Sequence, residues 1–151
     1  MYLISACLAG VNCRYNGDNN LNEKILKLVK DKKAILVCPE QLGGLSTPRP
    51  PSEMVKDSEG QIKILTNEGE DVTKYFVKGA EETLNIAKMM DIKVAILKAR
   101  SPSCGYGKIY DGTFSGKLKN GVGVTSSLLL KNGIKIYTEE DIEKESSILD
   151  C

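Results

Sequence analysis

Three cysteines are each expected to follow directly after a strand formed by a short apolar run. Cys7 follows Tyr2-Leu-Ile-Ser-Ala6, and Cys38 follows Ala34-Ile-Leu-Val37. Cys104 sits in the loop that Val94-Ala-Ile-Leu97 leads into. Runs of this kind, bounded by polar residues, predict buried strands. A thiolate is both a nucleophile and a soft metal ligand. The third cysteine has the most shaped surroundings, Lys98-Ala-Arg-Ser-Pro-Ser-Cys-Gly-Tyr-Gly107. Pro102 fixes its own φ and pushes Ser101 toward an extended shape. Gly105 and Gly107 let backbone N–H groups turn toward a ligand.

Strands that alternate with helices call for a mostly parallel sheet, whose carboxyl ends lie on one edge. Ligands bind at that edge in open α/β sheets. The topology would therefore bring Cys7, Cys38 and Cys104 to a common rim. Three thiolates there could hold zinc with a water in the fourth position. They could equally hold an iron–sulfur cube with one iron unligated. The spacing matches neither a zinc ribbon nor the tight ferredoxin run. Cys13 is a fourth candidate, as a ligand, a persulfide carrier or a buried thiol; Cys151 receives no role.

Composition narrows the chemistry. The chain contains no histidine, so Ser-His and Cys-His nucleophiles are excluded. A general acid or base must be a carboxylate, Lys, Tyr, Cys or water. Only three arginines occur, against eighteen lysines, and Arg14, Arg49 and Arg100 all lie near a cysteine motif. A planar, forked donor suits a phosphate, a carboxylate or a nucleobase edge. The formal net charge is +1, which gives no footprint for binding DNA through bulk charge. No apolar run approaches the roughly 20 residues of a membrane helix, and the start reads as a strand rather than a signal peptide. A cytoplasmic protein with reduced cysteines is expected.

The 151 residues suit one α/β domain with a mostly parallel, Rossmann-like sheet. Helices are predicted from Asn20 or Asn22 to about Asp31, from Asp71 or Thr73 to about Met90, after Thr125, Ser126 or Ser127, and over Glu139 to Ser146. A fourth strand is predicted at Ile134-Lys-Ile-Tyr137. Glu53–Val55 and Ile62–Leu65 flank Asp57-Ser-Glu-Gly60, which predicts a small β-hairpin insertion. Tyr110-Asp-Gly112 and Phe114-Ser-Gly116 read as turns, and Gly121-Val-Gly-Val-Thr125 as the lead-in to a helix.

Taken together, Ser5-Ala-Cys-Leu-Ala-Gly10, Cys13-Arg-Tyr-Asn-Gly17, Cys38-Pro-Glu40, Gly43-Gly-Leu45, Pro48-Arg-Pro50 and Ser101-Pro-Ser-Cys-Gly105 resemble the thiouracil desulfidase family. Tyr110-Asp-Gly112 and Gly121-Val-Gly-Val124 extend the resemblance over essentially the whole chain, in a short stand-alone form. The resemblance implies a [4Fe-4S] cluster held by Cys7, Cys38 and Cys104. The activity it implies is replacement of a thiopyrimidine's sulfur by water without net redox change. It further implies Glu40 as the acid–base group, with Ser101 or Ser103 as its hydrogen-bonding partner. Asn16 departs from the family pattern, where Asp is expected. Arg14, Arg49 and the Gly105 backbone are the candidates for binding substrate. The expected partner is a small thiopyrimidine base or nucleotide; a thiolated tRNA is less favoured for so small and uncharged a surface. The alternative is a zinc-stabilised module that binds a nucleotide or thiolated tRNA without catalysis. Air could also empty the site of the cluster or leave zinc in its place.

Overall fold

The computed structural model describes residues 1–150, so Cys151 lies outside the described residues. Strand β1 (Tyr2–Ser5) runs into a 3₁₀ turn over Ala6–Ala9. Helix α1 (Glu23–Lys30) starts where the Asn22 side chain accepts the N–H groups of Lys24 and Ile25. Next come β2 (Ala34–Val37) and the one-turn helix α2 (Pro39–Leu42). The hairpin β3 (Ser52–Lys56) and β4 (Ile62–Thr66) follows, then the long helix α3 (Thr73–Met89). Strand β5 (Val94–Leu97) precedes a second hairpin, β6 (Tyr106–Tyr110) and β7 (Leu118–Val122). The chain then forms α4 (Val124–Lys131), β8 (Lys135–Thr138) and α5 (Glu139–Lys144), followed by a 3₁₀ turn over Ser146–Asp150.

The central sheet is wholly parallel, in the order β2-β1-β5-β8. Successive side chains on a strand face opposite sides, and the core divides accordingly. Leu3, Ala95 and Leu97 pack with Leu84, Ala87 and Leu129 of α3 and α4. Ile4 and Ile96 pack with Ile25 and Leu28 of α1 and Ile142 of α5. Both faces are covered, which is why the strands read as continuous apolar runs. The connections from β1 and β5 leave in opposite directions, so the topological switch point lies between these two strands. Their carboxyl ends open a crevice there.

The expected α/β class, parallel sheet and β-hairpin insertion are all present, the hairpin as a separate two-stranded sheet beside the cleft, with differences of detail. The second hairpin falls where turns and a helix lead-in were expected. Its strands are mostly exposed, at Tyr106, Gly107, Lys108, Leu118, Lys119 and Asn120. Only Ile109 anchors it, in a third cluster with Met54, Ile64, Val72 and Phe76. Such strands carry no period-2 apolar signal, because pairing rather than burial defines them. Helix α4 is not capped by a hydroxyl: Gly123 is its N-cap. The Thr125 and Ser126 side chains turn inward, to Ser103 Oγ and the Cys104 carbonyl. Cys104 does not directly follow its strand but lies beyond the intervening Lys98–Ser103 segment.

Candidate functional site

The crevice at the switch point is a cleft of about 340 Å³. Cys7, Cys13, Cys38 and Cys104 all line it, and all four are free thiols. Cys7 is carried by the 3₁₀ turn after β1, and Cys38 is the N-cap residue of α2. Helix α2 is fixed by an unusually close approach to α3. A Cβ on Gly79 would collide with the Pro39 carbonyl, and one on Gly43 with the Tyr75 carbonyl. Glycine in mid-helix costs about 1 kcal/mol relative to alanine. Here it lets two backbones touch, and so sets the position of Cys38 and Glu40.

The thiols differ according to their neighbours. Cys13 is only 2% exposed; Cys38 Sγ lies 3.8 Å from the Cys13 carbonyl oxygen, and the Cys13 thiol sits against the side chains of both Cys38 and Cys7. That arrangement holds the Cys13 proton in place and raises its pKa, while the pKa of Cys7 is lowered, first through Cys13. The Cys38 thiol comes down to about 7, chiefly through the Cys13 hydrogen bond, against the cost of burial. Burial pushes Cys104 the other way, to about 12.

Glu40 faces the same cleft, with Arg49 Nε at 2.7 Å from its Oε2. This pair is largely buried, at 7% exposure for Arg49 and 18% for Glu40. The rest of the Arg49 guanidinium is also occupied. Nη1 donates to Thr47 Oγ1 at 2.9 Å and the Ser46 carbonyl at 3.3 Å, and Nη2 donates to the Cys13 carbonyl at 2.9 Å. Arg100 pairs with Glu140, and Lys98 with Glu139. Arg14 also lines the cleft; among the described residues it has no carboxylate partner, and it stacks over the Tyr15 ring at 5.7 Å.

The serines and Gly105 divide. Ser101 lines the cleft, and its Oγ accepts the backbone N–H of Cys104 at 2.8 Å and of Ser103 at 3.1 Å. Ser103 is buried, with its Oγ 2.8 Å from Thr125 Oγ1. Gly105 is constrained by packing, since a Cβ there would meet the Ser101 carbonyl at 2.6 Å and Ile109 Cγ2 at 2.8 Å. Neither Ser103 nor Gly105 is among the residues that form the cleft wall.

Two cleft residues escaped the reading of motifs. Asn20 places a buried Nδ2 at the site with no hydrogen bond of ordinary length to the protein. Glu53 on β3 is only 9% exposed, and its Oε1 accepts the N–H groups of Gly112 at 3.0 Å and Phe114 at 3.2 Å. A glutamate inside a predicted hairpin strand gives no sign that it is buried. The Pro-rich segment before it was the only available hint of a shaped wall.

The donor set suits a thiophilic metal group. Four free thiols converge on one cleft, and the buried Asn20 amide beside them turns toward the Cys7 thiol. As the side chains stand, no three Cys, Asp or Glu residues among the described residues form a group that could hold a single metal ion. An iron–sulfur cluster instead takes one thiolate on each of several irons.

The fold and the cleft define an α/β protein with a cysteine-lined site at the sheet's switch point, and comparison with known proteins gives that class its family. Residues 2–141 match the family described as 2-thiouracil desulfurase, and the chain belongs to it. A curated relative, the uncharacterised protein YbbK of Bacillus subtilis (strain 168), is 49% identical over 147 residues. That match covers 94% of this chain and 97% of the relative. Among solved structures, the [4Fe-4S]-dependent thiouracil desulfidase TudS superposes with a TM-score of 0.87 at 38% identity. The overlap is 99% of this chain and 97% of that one. The resemblance read from the motifs is thus borne out, as is the fold. No helix among the described residues is long and apolar enough to cross a membrane.

Proposed function

We propose that this protein removes sulfur from a thiolated pyrimidine by hydrolysis: thiocarbonyl plus water gives carbonyl plus hydrogen sulfide. The carbon–sulfur bonds break, carbon–oxygen bonds form, and no electrons are gained or lost. Cys7, Cys38 and Cys104 would hold a [4Fe-4S] cluster, whose unligated iron supplies a soft Lewis acid for the thiocarbonyl sulfur. The observation that carries this reading is the gathering of these sulfurs with an Arg-fixed carboxylate in one cleft.

The chain's own groups divide the remaining work. Arg49 holds Oε2 of Glu40, which leaves Oε1 to take the proton of the attacking water. On this reading Arg49 positions Glu40 rather than binding substrate. Ser101 uses its oxygen on two backbone N–H groups, so its own proton is available to the ring substituent of a bound substrate. Arg14, which pairs with no carboxylate among the described residues, is the cation that would meet an anionic substituent at the mouth. Cys13 stays protonated between its neighbours and keeps them oriented.

Protein reconstituted without oxygen should release sulfide from 4-thiouracil, 2-thiouracil or thio-UMP. No sulfide from any of them, with iron and sulfide content intact, removes the proposal. Glu40→Gln should keep the cluster and substrate binding while losing turnover by about 10²-fold or more. Full activity in that variant would leave the reaction standing and overturn the assignment of its base. A colourless, zinc-containing protein that binds a thiolated ligand without turning it over would support the binding module instead.

A further inference from the structure

Glu53 stands apart from the other carboxylates at this edge of the sheet. Glu40 faces Arg49, and Glu139 faces Lys98. Glu53 is equally buried, yet among the described residues no cation lies within ion-pair distance of it. Its Oε1 is occupied by the N–H groups of Gly112 and Phe114, which join the loop of the second hairpin to the first. Among the described residues its Oε2 has no hydrogen-bond partner, and the residue lines the cleft. This oxygen is open to the cleft rather than sealed off, and a ligand that displaces its water incurs a cost unless it brings a donor. An ionised carboxylate can only accept, so whatever fits this position must present an N–H or O–H.

We propose that Glu53 is a specificity-determining residue, whose Oε2 accepts the ring N3–H of a thiopyrimidine held in the cleft. This rests on the desulfurase reading above. In both 2- and 4-thiouracil the N3–H is bonded to the carbon that carries sulfur. With the sulfur directed to the cysteines, N3–H lies one atom further along the ring. Glu53 then selects uracil-like rings, which donate at this position, over cytosine-like rings, which accept there. Selection of this kind is strong, because the wrong ring leaves a buried acceptor facing another acceptor.

Glu53→Gln provides the test. The Gln carbonyl can still accept from Gly112 and Phe114, which turns its NH₂ toward the cleft and reverses the polarity there. Binding is measured by calorimetry with uracil and cytosine, and turnover is measured separately with 2-thiouracil and 2-thiocytosine. Wild type should prefer uracil, and Glu53→Gln should weaken uracil by about 10-fold or more while gaining cytosine. In wild type, 3-methyluracil should bind about 10-fold more weakly than 1-methyluracil, an arm that does not depend on the variant folding. Unchanged uracil–cytosine preference in a folded Glu53→Gln, or equal binding of the two methyluracils, overturns the proposal. Lost turnover with unaltered binding also overturns it, because Glu53 would then act in the chemistry. Failure of the desulfurase reading looks different: no sulfide is released, whatever the binding preferences.

Discussion

The two walls of the cleft treat their thiols in opposite ways. On the wall built from the turn after β1 and from α2, Cys7, Cys13 and Cys38 share hydrogen bonds, and Arg49 lies near Cys38. Ionisation of Cys7 and Cys38 is eased there at the expense of Cys13, whose thiol is pushed up, and Cys38 comes down to about 7. On the wall built from the loop after β5, Cys104 is buried and its thiol is pushed up to about 12. On the proposed function, the first wall is the one ready to bind metal before any arrives. On the same reading the second would give up its proton only in exchange for a metal bond, as ligand thiols generally do when a metal is captured. Assembly should therefore start at Cys38 and finish at Cys104.

Alkylation of the metal-free protein tests that contrast most directly. At pH 8 most of Cys38 is thiolate, whereas only about one in 10⁴ of Cys104 is. A low-pKa thiolate is intrinsically a weaker nucleophile, by about 10² over this interval. The net expectation is that iodoacetamide modifies Cys38 about 10²-fold faster than Cys104, before any further protection by burial. The sign follows from the shifts: a lowered thiol gains reactivity as pH rises through about 7 and then levels off. A raised thiol continues to gain well into alkali. Peptide mapping after brief labelling reads both. Equal labelling of the two cysteines would dissolve the distinction between the walls.

The first wall depends on contact between α2 and α3, and Gly79→Ala attacks it without touching the cleft. Alanine favours the helix by about 1 kcal/mol, but its Cβ must displace the Pro39 carbonyl. Overpacking of this kind costs about 1–3 kcal/mol, and more where backbone must move. We expect a net loss of about 2 kcal/mol, or about 4–8 °C in Tm. The same shift moves Cys38 and Glu40, so iron content should fall alongside stability. Stability lost with full iron loading would show that α2 adapts without disturbing the site.

What could be read in the sequence follows burial. The four central strands are covered on both faces, so Tyr2–Ser5, Ala34–Val37 and Val94–Leu97 announced themselves, and β8 was displaced by one residue. The hairpin β6–β7 did not, since Lys108, Lys119 and Asn120 say nothing about pairing. Cysteine placement was legible because thiols are few and parallel topology gathers strand ends. Partnerships were not: Arg49 could be placed near the site, but its attachment to Glu40 and to the Cys13 carbonyl depends on how the loop folds back. Ser101 and Ser103 are two residues apart and share one motif. Only coordinates reveal that one lines the cleft and the other joins Thr125 inside.

That last pair supplies the smallest and sharpest prediction. Ser101→Ala removes the hydroxyl that faces the cleft and leaves the N–H groups of Ser103 and Cys104 without their acceptor. Turnover should fall about 10-fold, the value of one hydrogen bond to a reacting group, and stability by about 1 kcal/mol. Ser101→Thr keeps the hydroxyl in a residue already extended by the following proline, and should recover most of both. Ser103→Ala breaks a buried contact with Thr125 and should cost about 1 kcal/mol of stability with a smaller change in turnover than Ser101→Ala. The two serines thus separate rate from stability within a single loop. Should Ser103→Ala reduce turnover more than Ser101→Ala at equal cluster content, the wall's working hydroxyl would be the buried one. Helix α4, which holds Thr125, would then belong to the mechanism rather than to the scaffold.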